Sequence, residues 1–206
     1  MKEIIKSDPF LREGERQLAS MSDKKDTLRH SRRMANLGWL LAGKLEYSPE
    51  ETRFFVEACI FHDIGKTEIA AKYITRLSKR FTEKDLRAIK KHAYRGYKML
   101  KEAGRSPRVY FPVLLHHEFQ ERPYPEIGGA LIQKLGEVED IDIDNAQYLA
   151  MIDVFDTLAF GREYVGIKPH SLEEARRELN RLFHSAGDAE RIDFLISSCE
   201  KIKELE

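Results

Sequence analysis

The sequence predicts an all-α fold. Apolar residues recur with the 3.6-residue period of an amphipathic helix along most of the 206 residues. Alternating runs of β-branched and aromatic residues, the mark of strands, are short and few. Helix boundaries are also legible, as capping pairs ahead of periodic runs and glycines behind them.

In chain order, a first helix is expected over about 27–46. Ser48-Pro49-Glu50-Glu51 joins a capping box to a proline at the first helical position, and Gly65 is expected to close the helix that follows. Thr82-Glu83-Lys84-Asp85 opens another, closed by Gly104. Helices over about 109–117, 127–138 and 145–160 come next, and residues 118–125, with two prolines and no periodicity, read as a loop. Ser171-Leu172-Glu173-Glu174 repeats the capping device, with Gly187 as the expected stop, and a last helix covers about 189–204. No internal repeat, low-complexity tract or linker composition divides the chain, which reads as one domain over 1–206.

Lys plus Arg number 35 and Asp plus Glu number 35, so overall charge points to neither duplex nucleic acid nor an anionic membrane as partner. Cys59 and Cys199 lie far apart, and Cys59 sits in an apolar helical run, which argues against a disulfide framework. The first eighteen residues carry charges throughout, and no stretch approaches the roughly 18 apolar residues of a membrane span, so the expectation is a soluble, cytoplasmic protein.

Ligand-forming side chains then fall where apolar ones belong. Asp63 ends the run from Phe54 to His62, and the residues three and four positions back, Ile60 and Cys59, offer no cation. Asp153 shares a helix face with Leu149, Ile152, Asp156 and Thr157, with no lysine or arginine within a turn. A buried carboxylate needs a metal or a cation from elsewhere in the fold. His92 lies beside the stripe of Leu86, Ile89, Ala93, Tyr97 and Leu100. His116 and His117 follow Pro112-Val113-Leu114-Leu115, and neighbours on a helix diverge by about 100° yet can reach one site at its end. A single histidine beside a core is commonly a hydrogen-bonded structural residue; the ordered set points instead to a metal site. Imidazole and carboxylate donors without thiolate suit Fe, Mn, Zn or Ni rather than a structural zinc closed by cysteines. Six or seven donors are too many for one ion, which favours two divalent ions with Asp63 as the expected bridge.

These residues, in this order, resemble the HD superfamily of phosphohydrolases and, within it, the HD-GYP phosphodiesterases that cleave cyclic dinucleotides. His30 is similar to the family's leading histidine, His62-Asp63-Ile64-Gly65-Lys66 to its HD-x-G-K signature, and Arg80-Phe81-Thr82 to His92 to the helix carrying the next histidine. His116-His117-Glu118 resembles the HHE element, Asp153-Val154-Phe155-Asp156-Thr157-Leu158 the final D-x-x-D-x-L helix, and Arg162 and Tyr164 the R-x-Y after it. The resemblance spans about 26–165, leaving C-terminal helices at about 171–204, and implies a five-helix HD core with peripheral helices. Three departures stand out: Pro123-Tyr124-Pro125 in place of G-Y-P, Val165 where a basic residue often follows R-x-Y, and an apparent insertion from Val138 to Asp144.

The resemblance implies His30, His62, Asp63, His92, His116, His117 and Asp153 as metal ligands. It also offers a third metal position at Asp26, one turn before His30, which either binds a metal or orients that histidine. Two ions, Fe or Mn first and Zn, Ni or Mg as alternatives, would hold a bridging hydroxide near neutral pH for in-line attack on phosphorus. Asp63 and Lys66 are the expected catalytic residues, with Lys66 also stabilising phosphate charge and Tyr124 and Arg162 holding substrate at the rim. His170 and His184 read as structural. The leading function is hydrolysis of a cyclic dinucleotide such as cyclic di-GMP. The alternatives are a nucleotidase or phosphatase acting on a linear nucleotide, and a catalytically silent nucleotide sensor. A homo-oligomer or a regulatory protein partner is compatible with all three.

Overall fold

In a computed structural model the described residues are 24–69, 82–119, 138–161 and 167–205, with single positions at 12 and 16. The architecture is all-α. Its helices are α1 (Lys24–Lys44), α2 (Pro49–Phe61), α3 (Glu83–Ile89), α4 (His92–Glu102), α5 (Pro107–Leu115), α6 (Asp140–Phe160), α7 (Leu172–Leu182) and α8 (Asp188–Leu205). A 3₁₀ turn, Ile64–Glu68, follows α2. The loop expected at 118–125 and the helix expected at 127–138 lie largely or wholly outside the described residues.

Packing follows the apolar faces. Helix α1 packs on α2, with Met34, Leu37 and Leu41 in the same buried core as Phe55 and Cys59; α2 backs onto α5, and α5 lies between α4 and α6. Helix α6 meets α1, α5 and the α7–α8 pair, which explains why it is apolar on nearly every side: Ala146, Leu149, Ala150, Met151, Ile152 and Phe155 are all fully buried. Gly38 lets α1 and α2 approach closely, since a Cβ there would stand 2.6 Å from Cys59 Sγ.

The local chemistry matches most boundaries. Ser48, Thr82 and Ser171 each close a reciprocal capping box, and Ser106 accepts from the first turn of α5 ahead of Pro107. Gly104 (φ +69°) follows α4 in the left-handed conformation that ends helices. Four expectations need correction. Helix α2 stops at Phe61 rather than Gly65, because the chain tightens into the 3₁₀ turn from Asp63 onward. The helix opened by Thr82 breaks at Lys90–Lys91, so His92 begins α4 and Leu86, 44% exposed, is no part of the α4 stripe. Helix α7 ends at Leu182 with Phe183 extended, leaving Gly187 (φ +84°) just before α8. Helix α6 starts at Asp140, capped by Glu139 and Asp142, so most of the segment expected as an insertion is its first turn.

Gly65 is instead needed for close approach. A Cβ there would lie 2.0 Å from the His92 carbonyl oxygen and 2.6 Å from the Gly96 amide nitrogen, both backbone atoms that cannot swing aside. Gly65→Ala is expected to destabilise the fold by about 3 kcal/mol, the upper range for overpacking a tight interior. Urea unfolding checks this, and a midpoint within error of the parent would refute the steric account.

Candidate metal centre

The centre forms where helices end. The last carbonyls of an α-helix have no intrahelical donor, and a side chain placed just beyond them can supply one. His62 Nδ1 lies 2.9 Å from the Cys59 carbonyl in the last turn of α2. His92 Nδ1 lies 2.8 Å from the carbonyl of Ile89, the last residue of α3. His116 Nδ1 lies 2.8 Å from the Val113 carbonyl near the end of α5. A carbonyl only accepts, so in each neutral ring the hydrogen is on Nδ1 and Nε2 presents a lone pair. Three helix C-termini, each with partial negative charge, therefore meet around these rings and favour a cation between them.

His30 differs because it sits within α1, where nearby carbonyls serve the helix. Its Nδ1 instead meets Asp156 Oδ2 of α6 at 2.7 Å. Its Nε2 lies 3.0 Å from His62 Nε2 and 3.4 Å from Asp153 Oδ1. His117 Nε2 lies 3.2 Å from His92 Nε2, and its ring is 3.9 Å, centroid to centroid, from that of His116.

Asp63 joins two groups of donors. Its Oδ2 is 3.5 Å from His62 Nε2 and 4.0 Å from His30 Nε2, while Oδ1 is 3.4 Å from His92 Nε2. His30, His62 and Asp63 form one cluster with metal-ligand spacing, and His92, His116 and His117 form a second. Asp153 flanks the first, with Oδ1 3.8 Å from His62 Nε2. The structure thus gathers all seven residues singled out in the sequence, although His30 and Asp153 are separated by most of the chain.

The donor set fits divalent cations. His30 Nε2 and His62 Nε2 face each other at 3.0 Å; in neutral rings whose Nδ1 hydrogens go to Asp156 and Cys59, these are two lone pairs in contact, an arrangement that a cation relieves. His116 Nε2 is buried and has no hydrogen-bond partner among the described residues, an orphan that costs free energy unless something binds it. Burial, reinforced by the His62 and His92 rings, pushes His116 down to about 3. Burial also lowers His92 to about 4 against the pull of Asp63, and brings His117 well below the ordinary range, so all three rings are neutral at pH 7.

Electrostatics around Asp63 run the other way. Burial alone would raise its carboxyl, but the Lys66 ammonium and the His62, His92 and His30 rings outweigh it and hold Asp63 well below the usual carboxylate range. Lys66 Nζ donates to Asp63 Oδ2 at 2.5 Å. Asp63 is therefore not without a nearby cation: the partner lies three residues ahead rather than behind, brought round by the 3₁₀ turn. Tyr124 and Arg162 lie outside the described residues, as does the side chain of Asp26, whose backbone begins α1. His170 and His184 are exposed and belong to neither cluster.

Two participants were not assigned a role from sequence. Asp156 is fully buried, and Arg33, 5% exposed, donates to it through Nε at 2.5 Å and through the guanidinium at 3.0 Å. Burial would raise the Asp156 carboxyl, yet His30 and Arg33 hold it far below the usual range. Spacing carried a signal for both, since Arg33 stands one turn after His30 and Asp156 one turn after Asp153.

The family model described as HD domain matches residues 27–158. Among solved structures, the HD domain of the L. monocytogenes phosphodiesterase PgpH is similar, with a TM-score of 0.65 and 16% identity over 92% of this chain and 98% of that one. The same domain in complex with cyclic-di-AMP gives a TM-score of 0.61 and 17% identity, over 92% and 97% of the two chains. No curated protein matches.

Proposed function

The chain belongs to the HD domain family and is a metal-dependent phosphohydrolase, and from that premise we propose that it is a phosphodiesterase acting on a cyclic dinucleotide. The observation that carries this reading is Asp63, whose two oxygens face two separate donor clusters. In the proposed centre His30, His62, Asp63 and Asp153 hold one ion, and Asp63, His92, His116 and His117 hold the other. Fe or Mn suits these nitrogen and oxygen donors. Bound in this way, a metal pair supplies activated water near neutral pH and charge stabilisation at phosphorus.

The protein's own groups supply the rest. Neutral His92 and His116 bind without first losing a proton at pH 7. Lys66, with 14% of its side chain exposed, stands at the edge of the buried cluster, where its ammonium can pass from Asp63 to a non-bridging phosphate oxygen. Tyr124 and Arg162 are proposed to hold base or phosphate at the rim, and Pro123, next to Tyr124, stands where the family has glycine. Proline fixes φ and removes a backbone donor, so specificity is the property that this replacement touches first. The proposed unit is one domain over 1–206.

Cyclic di-GMP is the substrate that the HD-GYP resemblance suggests, and the complex of the similar PgpH domain adds cyclic-di-AMP. The test loads the protein with Mn²⁺ and offers a generic aryl phosphodiester, both cyclic dinucleotides and linear nucleoside monophosphates. Hydrolysis of the aryl diester and of at least one cyclic dinucleotide is expected, the latter falling roughly tenfold or more in Tyr124→Ala and Arg162→Ala, the scale of a lost contact worth about 1.4 kcal/mol. Turnover of linear monophosphates with no action on any diester would reject the proposal in favour of a nucleotidase. Bound metal with no turnover at all would favour a silent sensor.

A further inference from the structure

The four histidines whose Nδ1 contacts are described are oriented by two different devices. His62, His92 and His116 lean on carbonyls of the helix each one follows, so their ring orientation comes with the local backbone. His30 is placed differently, seven residues into α1 with turns of helix on both sides. Its orientation depends on Asp156, which arrives from α6 and whose own carboxylate is clamped by Arg33 from the next turn of α1. Arg33 in turn stacks over a ring, its guanidinium carbon 4.6 Å from the centre of Phe160.

We infer that Arg33 is a positioning residue for the metal centre, acting through Asp156 to fix the ring of His30 and thereby the affinity of the His30–His62 position, and not that of the His92–His116–His117 position. This rests on the two-metal reading above. The chemistry is specific. Two donors of a planar guanidinium engage both Asp156 oxygens, leaving Oδ2 aligned on His30 Nδ1 at 2.7 Å. An ionised Asp156 makes the opposite ring nitrogen a better donor to a cation, as outer carboxylates do for ligating histidines. Arg33 also keeps a buried carboxylate compensated, so that neither the ring nor the carboxylate has to turn away toward another partner.

The experiment is equilibrium dialysis of chelator-treated protein against graded Mn²⁺, with bound metal counted per chain. The parent is expected to take up two Mn²⁺. Arg33→Met keeps the length of the side chain and removes its charge and donors; it should weaken one of the two equivalents by roughly 10–100-fold, the range for losing an outer partner of a ligand, and leave the other as in the parent. Arg33→Lys, which keeps the charge but not the fork, should fall between them, and it decides the matter if Arg33→Met does not fold. Adding Arg33→Met to His30→Ala should cost nothing beyond His30→Ala alone, because the two act through one contact. Arg105→Met is the control, since Arg105 pairs with buried Glu57 of α2, a pair that is no part of either cluster; it should lower thermal stability without changing either equivalent.

Arg33→Met or Arg33→Lys binding both equivalents like the parent would overturn the inference. So would an equal loss at both positions in step with thermal stability. A parent that binds fewer than two Mn²⁺ would overturn the two-metal reading itself, and the inference with it.

Discussion

Asp63→Ala is expected to lower hydrolysis by a factor on the order of 10³ or more and to leave less than one metal ion per chain. That is the scale on which loss of one preorganised electrostatic contact acts, and Asp63 faces both clusters at once. Its removal takes a carboxylate oxygen from each cluster and releases the Lys66 ammonium from its partner. The surrounding imidazoles would then face one another without the charge that balances a cation. His170→Ala, at an exposed position outside both clusters, should change neither rate nor metal content. Elemental analysis beside a rate measurement checks both variants, and parental stoichiometry in Asp63→Ala would remove it from the ligand set.

The second large effect is thermal. A chelator-treated sample should melt well below one given Mn²⁺, because a ligand that binds only the folded chain at a thousand times its Kd adds about 4 kcal/mol. For a chain of this length that corresponds to a rise in Tm of roughly 8–16 °C. The structural origin is the collection of buried donors: His30, His62, Asp63, His92, His116 and His117 are all nearly or fully shielded from water, and among the described residues His116 Nε2 has no partner to offset that burial. The rise should grow with Mn²⁺ concentration. A melting curve indifferent to Mn²⁺ would contradict the centre described here.

Much of the architecture could be read from the chain because its signals are local. Ser48, Thr82 and Ser171 cap where their sequence contexts say, since a capping box is complete within four residues. The gathering of His30 with Asp153 was implied by the HD resemblance, and for Asp153 also by the argument that a carboxylate on an apolar face needs a cationic partner. What escaped were features decided by tertiary contact. Gly65 looked like a helix stop, but it is required by the His92 backbone passing next to it. The break at Lys90–Lys91 is invisible to periodicity because Leu86 and Ile89 fit a continuous stripe, and only the structure shows Leu86 facing outward. Arg33 reads in sequence as one more base in a charged helix, and its burial against Asp156 depends on a helix more than a hundred residues later.

The close seating of Gly38 on Cys59 gives the centre a built-in chemical reporter. The Cys59 thiol is fully buried and free, and burial pushes its ionisation upward, so in the folded chain it is hidden from alkylating reagents and a poor nucleophile besides. It lies on the α1–α2 seam, the same seam across which His30 faces His62, and its own carbonyl anchors the His62 ring. Labelling of this sulfur, read separately from that of Cys199, which is also buried and free, therefore keeps time on how often the two helices part. His30 and His62 would hold a bound cation from opposite sides of this seam, and such binding would slow that clock.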